Sequence, residues 1–216
     1  MGRNAVRYEG YYARFETASK KDAAILIGAD TLVGDTFEIE IRNERGTAVA
    51  WVRNRFGAEI GFFDAETTRR IQLAQARGDI IKAMLSFVAY SEEPSPGLYW
   101  GEMAVMSYPA SQKEHFDAFS RLVSKRLQEG SRPDIALSEQ GEANVVEHEG
   151  DWLPTATVPL PKTRSGMVIM KSKRRFSEKM IEQGRAGNKG CYIVGWAFIL
   201  VLVAGAIWLF KQFGAF

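Results

Sequence analysis

The chain has 216 residues, with 28 Lys and Arg against 26 Asp and Glu, a formal net charge of +2 and a single cysteine. That length holds one domain of ordinary size with tails, and one cysteine excludes both a disulfide framework and a cysteine-based zinc site. The charge is segregated: residues 1–130 carry a net of −1, residues 131–161 a net of −5 and residues 162–189 a net of +7. The basic excess therefore lies outside the expected domain, which counts against nucleic acid as the default partner.

Taken in order, "VRYEGYYARF" reads as an aromatic strand. Ser19 followed by Asp22 is a capping pattern ahead of a short apolar run and predicts a short helix. "TFEIEIR" alternates strictly, with Phe37, Ile39 and Ile41 on one face and Glu38, Glu40 and Arg42 on the other, as a half-buried strand does. "NERG" turns the chain, "TAVAWVRN" is a second strand and "AEIGFF" a short third one. Asp64 is placed to cap the helix "AETTRRIQLAQAR", which Gly78 stops. "DIIKAMLSFVAYS" and "LYWGEMAVMSY" are long strands joined by the loop "EEPSPG". A final helix follows, in which Ser111 and Glu114 form a capping box and Phe116, Phe119, Val123 and Leu127 make one apolar face, ending at Gly130.

The expected fold is α+β: a small curled β-sheet or barrel of about five strands with two helices, in residues 1–130. Residues 131–170 read as an acidic, then proline-containing linker, because Pro154, Pro159 and Pro161 break periodicity. Residues 171–190 are a basic juxtamembrane segment. From Cys191 to Phe210 no charged residue occurs, and twenty helical residues span about 30 Å, the thickness of a bilayer core. Lys171, Lys173, Arg174, Arg175, Lys179, Arg185 and Lys189 precede that stretch and only Lys211 follows it. The basic residues then predict a single-pass, tail-anchored protein, its N-terminal domain cytoplasmic and residues 211–216 outside. The same seven side chains would meet anionic lipid headgroups of the bilayer.

Within the domain the sequence resembles a HIRAN domain over residues 23–108. "AVAWV" is similar to that family's strand written around "AVaV", "EIGFF" to its "iGYl" strand, and Gly78 to the glycine after its helix. The "N-x-Y-D-x-x-A" element that precedes the first of these is replaced by "RNERGTA"; Asn43 and Ala48 remain, but the Tyr and Asp do not. The resemblance implies a pocket that receives a DNA 3′ end, and the departure falls within that pocket.

No Gly-rich phosphate loop, metal-ligand spacing or nucleophile motif is present, so neither a cofactor nor a metal is expected, and the chain reads as non-enzymatic. His115 and His148 read as solvated. Arg42, Arg53 and Arg55 with Trp51, and Tyr99 with Trp100, are the candidate contacts for a ligand or nucleic acid, since cations interleaved with aromatics can stack on and neutralise a single strand. The near-neutral domain favours a protein or peptide partner. The expected function is a membrane-tethered binding or scaffold module, the alternative a HIRAN-like binder of single-stranded nucleic-acid ends.

Overall fold

The computed structural model describes residues 7–175, together with Glu178 and Phe198. The aromatic start is strand β1 (Glu9–Glu16), and the capped run is helix α1 (Lys20–Ile27), whose Ser19 hydroxyl accepts from the Asp22 amide. The alternating segment is β2 (Thr36–Glu44), followed by β3 (Thr47–Arg53) and β4 (Glu59–Phe63). Between β2 and β3, Arg45 and Gly46 both adopt positive φ (52° and 86°), and the Asn43 side chain accepts from the Gly46 amide. Such a two-residue turn matches the twist of its flanking strands, and glycine takes its second position without steric cost. Helix α2 (Ala65–Ala76) begins at Asp64, whose carboxylate accepts from the Thr67 amide at 2.7 Å. Strands β5 (Ile80–Ser91) and β6 (Leu98–Tyr108) are the long hairpin.

All pairings are antiparallel, and the order β2-β3-β4-β1-β6-β5 closes on itself where Thr36 and Phe37 of β2 pair Met84 and Ala83 of β5. The result is a closed six-stranded barrel. The expected sheet of about five strands with two helices is thereby corrected: β1 is a full member of the barrel, pairing β6 along its whole length, and there are four helices among the described residues. Inside the barrel lie Ala13, Phe15, Phe37, Val52, Ile60, Phe63, Leu85 and Met103, all buried. On β5 the inward positions are Ile81, Ala83 and Leu85, then Val88, because the register shifts between Leu85 and Phe87. That shift turns Phe87 and Ala89 outward against Trp100.

Helix α3 (Lys113–Gln128) buries Phe116, Phe119, Val123 and Leu127 against the outer face of β1, β5 and β6. Ser111 is not its cap. It sits in a 3-10 turn (Ala110–Gln112), and Gln112 at the helix start makes no side-chain capping bond. The helix is anchored by Asp117, which accepts from the Tyr108 hydroxyl at 2.6 Å and pairs with Lys113 and Lys82.

Residues 131–174 are part of the same compact unit rather than a linker. Helix α4 (Glu139–Glu147) starts on Ser138, whose hydroxyl accepts from the Gly141 amide, and buries Val145 beside Ile135 in the cluster that α3 covers. Residues 152–167 cross the outer face of the barrel, with Leu160 and Met167 on Phe87 and Trp100. Strand β7 (Met167–Lys171) then pairs with β5. The hydrophobic clusters draw their side chains from residues 8–167, so this unit holds a complete core of its own.

Among the described residues no helix is long and apolar enough to cross a membrane. The longest, α3, has 16 residues and is charged along its outer face. The expected span at 191–210, and the tail at 211–216, lie outside the described residues. Two of the seven basic residues that set the expected orientation, Lys171 and Arg174, hold backbone carbonyls of the domain instead. The expectation of a single-pass, tail-anchored protein with a cytoplasmic domain is corrected accordingly.

Candidate functional site

The structure disperses the candidate residues over separate surfaces. On the outer face of β2–β3–β4, Arg42 lies between Glu40 (2.9 Å) and Glu59 (2.6 Å), 5.7 Å from the Trp51 ring. Arg53 donates to Glu40 and to the Gly57 carbonyl, and the Trp51 indole donates to Glu44 at 2.6 Å while its ring tilts on Phe62. The hydrogen bond from Arg42 holds the Glu40 carboxyl below its ordinary range, and the bonds to Glu40 and Glu59 raise Arg42 in turn. Each guanidinium is thus already matched to a carboxylate. Arg55 sits apart on the β3–β4 turn, 5.0 Å from the Phe56 ring.

Tyr99 and Trp100 are neighbours on β6 and so face opposite ways. Trp100 is 4% exposed, fixed by a bond from its indole to Ser91 (2.9 Å) and an edge contact with Phe87. Arg14 covers it at 4.2 Å. This pair floors an open cleft of about 900 Å³ under the loop 161–166.

Tyr99 belongs to the other side, the mouth of the barrel. There α1 and the tip of the β5–β6 hairpin bound a groove of about 520 Å³. One wall is Lys20, Ala23, Ala24 and Ile27 of α1; the other is Tyr90, Pro96, Leu98 and Tyr99. The rings of Tyr90 and Tyr99, which are register partners, lie 4.8 Å apart at 49°. The Tyr99 carbonyl accepts from the amide (3.1 Å) and hydroxyl (3.0 Å) of Thr17, tying the hairpin to the start of the α1 wall. The hairpin tip includes cis bonds at Glu93–Pro94 and Ser95–Pro96. Gly97 suits that tip because its φ of 97° is one that L side chains rarely adopt. Among the described residues Lys20 is the one charged side chain in the lining, and Ile27 is 38% exposed.

Of the basic set expected at a lipid surface, Lys171 donates to the carbonyls of Leu26 (3.3 Å), Gly28 (2.7 Å) and Thr31 (2.8 Å). Arg174 donates to Val33 and Asp35, with its side chain 7% exposed. Lys173 and Arg175 are exposed, and Lys179, Arg185 and Lys189 lie outside the described residues.

Tyr90, Pro96 and Ile27 were not among the residues expected from the sequence. A signal for Tyr90 was present: a hairpin folded about "EEPSPG" brings residue 90 opposite residue 99. Nothing in the local sequence marks Arg132, which is buried against Tyr12 and Phe87 and joins Glu102 to the Pro159 carbonyl.

The chain matches no family model, no curated protein and no solved structure.

Proposed function

We propose that this chain is a non-enzymatic binding module that captures an extended segment of another protein in the groove between α1 and the β5–β6 hairpin. The observation that carries the reading is the paired tyrosine shelf, Tyr90 and Tyr99, facing the aliphatic wall of α1. Aromatic-lined grooves of this kind suit proline-containing segments, which enter already extended and lose little entropy. Lys20 at the rim favours an acidic residue at one end of the ligand. The groove meets the size range of ligand sites, and the Tyr99 hydroxyl offers it a donor for a ligand carbonyl, that of Tyr90 being directed to the Pro96 carbonyl.

Single-stranded nucleic acid is the weaker reading. Phosphates at the β2–β3–β4 face would have to displace Glu40 and Glu59 from Arg42 and Arg53.

The test is selection of a randomised twelve-residue peptide library on residues 1–175. Enriched sequences should share proline or aliphatic residues, and Tyr90→Ala and Tyr99→Ala should each weaken them at least tenfold. A pool without enrichment, or binding indifferent to both substitutions, refutes the reading. Tight binding of a single-stranded oligonucleotide that vanishes when its 3′ end is blocked would replace it with an end-binding function.

A further inference from the structure

Both walls of the groove are held by one short strand. On one side β7 pairs with β5, placing Val168 opposite Tyr90 and Met167 opposite Ser91. On the other, Lys171 at the end of β7 reaches three carbonyls at the C-terminal end of α1 and in the turn beyond it. Leu26 lies in the last turn of α1 and Gly28 caps it, the Gly28 carbonyl also accepting from the Thr31 amide at 3.4 Å, and an ammonium there opposes the negative end of the helix dipole.

The register of β7 aims the lysine. Met167, Val168 and Ile169 pair Ser91, Tyr90 and Ala89 in unbroken antiparallel order, but Val88 then pairs Lys171 rather than Met170. The extra residue turns the Lys171 side chain to the face that carries Val88 and Tyr90, the face on which α1 lies. Without the shift, side-chain alternation would point Lys171 away from α1. Arg174, three residues on, fastens Val33 and Asp35 and is not among the residues that line the groove.

We propose that β7 and Lys171 form a clip that sets the width of the groove, so that displacing residues 167–171 opens it and filling the groove alters the hold on those residues. The coupling rests on the groove being the binding site, and by linkage it acts equally in both directions. Lys171 is then a positioning residue: it touches no ligand, and its effect passes through α1.

The clip is testable without any ligand. Residues 1–175 contain no cysteine, so spin labels attached through Lys21→Cys on α1 and Ser95→Cys on the hairpin report the span across the groove. The native chain should give one narrow distance. Lys171→Met should broaden and lengthen it by several ångströms, Lys171→Arg should restore most of the narrow population, and Arg174→Ala should leave it narrow. Each variant is first checked for cooperative unfolding, and Lys171→Gln replaces the methionine variant if that chain does not fold. An unchanged distance in a folded Lys171→Met or Lys171→Gln chain overturns the clip, as does equal broadening in Arg174→Ala. A peptide selected on the native chain should bind Lys171→Met at least tenfold more weakly. The distance result stands whether or not such a peptide is found, so failure of the clip and failure of the binding site are separable.

Discussion

The barrel and the segment 131–174 are built by opposite means. The barrel assembles from strands whose apolar residues repeat every second position and from helices whose apolar residues share one face. The later segment adds only scattered apolar anchors, Ile135, Val145, Leu160 and Met167, and is fastened by long polar side chains that reach across to the barrel or from it: Tyr8 to Ile135, Tyr12 to Pro133, Arg132 to Glu102, Lys171 to Gly28 and Thr31, Arg174 to Val33. The first mode leaves a period in the sequence. The second leaves single residues with no local pattern, and so the segment resembled a linker.

If the segment is integral, removing it should be the most damaging change. A chain ending at Gly130 would lose Leu160 and Met167 from over Phe87 and Trp100, and Ile135 and Val145 from the cluster under α3. It should lack a cooperative transition in urea, whereas residues 1–175 should show one; a sharp transition in the shorter chain would restore the boundary at 130.

Phe119→Ala probes the periodic mode. Phe119 is fully buried between Tyr8 and Phe116, so its loss should cost about 3–5 kcal/mol in denaturant unfolding. A value near zero would detach α3 from the barrel. Arg174→Ala probes the polar mode. It removes charge-assisted bonds to Val33 and Asp35 and should cost about 1.5–3 kcal/mol. A negligible change would make the clamp incidental.

Asp117 adds a pH-dependent attachment of α3. Burial pushes its carboxyl up, but hydrogen bonds from Lys113 and Tyr108 and the charge of Lys82 outweigh this and hold it at about 2. A carboxyl depressed on folding stabilises the protein fully above its ordinary range near 4 and loses that contribution as pH falls towards 2. Asp117→Asn should therefore flatten the fall in stability between pH 4 and 2, by less than the full shift implies because the partner Lys113 is exposed and screened by solvent. An unaltered acid limb would show that Asp117 is not its source.

The smallest effect separates two serines that look alike in the sequence. Ser19→Ala removes a capping bond and should cost about 1 kcal/mol, while Ser111→Ala should stay within about 0.5 kcal/mol. Equal losses would put Ser111 back at the helix start.

Strands β2 to β6, α2 and the buried face of α3 were legible because their periods are local. The register shift near Ser86 was not, since alternation continues on either side of it and only the change of face reveals the break. Of the candidate contacts, Tyr99 lies in the groove. Arg42, Trp51 and Arg53 did come together, but the cross-strand pairs Arg42–Glu59 and Arg53–Glu40 that neutralise the arginines are not displayed by the sequence. Tyr99 and Trp100 could not share a site, because adjacent residues on a strand look opposite ways.

The barrel closes along a short seam, where β2 meets β5 at Thr36 and Phe37 and the Leu85 amide donates to Asp35. Arg174 grips Asp35 beside that seam. A chain emerging from the ribosome delivers its N-terminal parts first, so both edges of the seam exist long before residue 174 does. The two edges of the seam are made early, yet the Arg174 fastening arrives only when the entire domain has been translated, and nascent chains halted before residue 174 should lack a stably closed barrel.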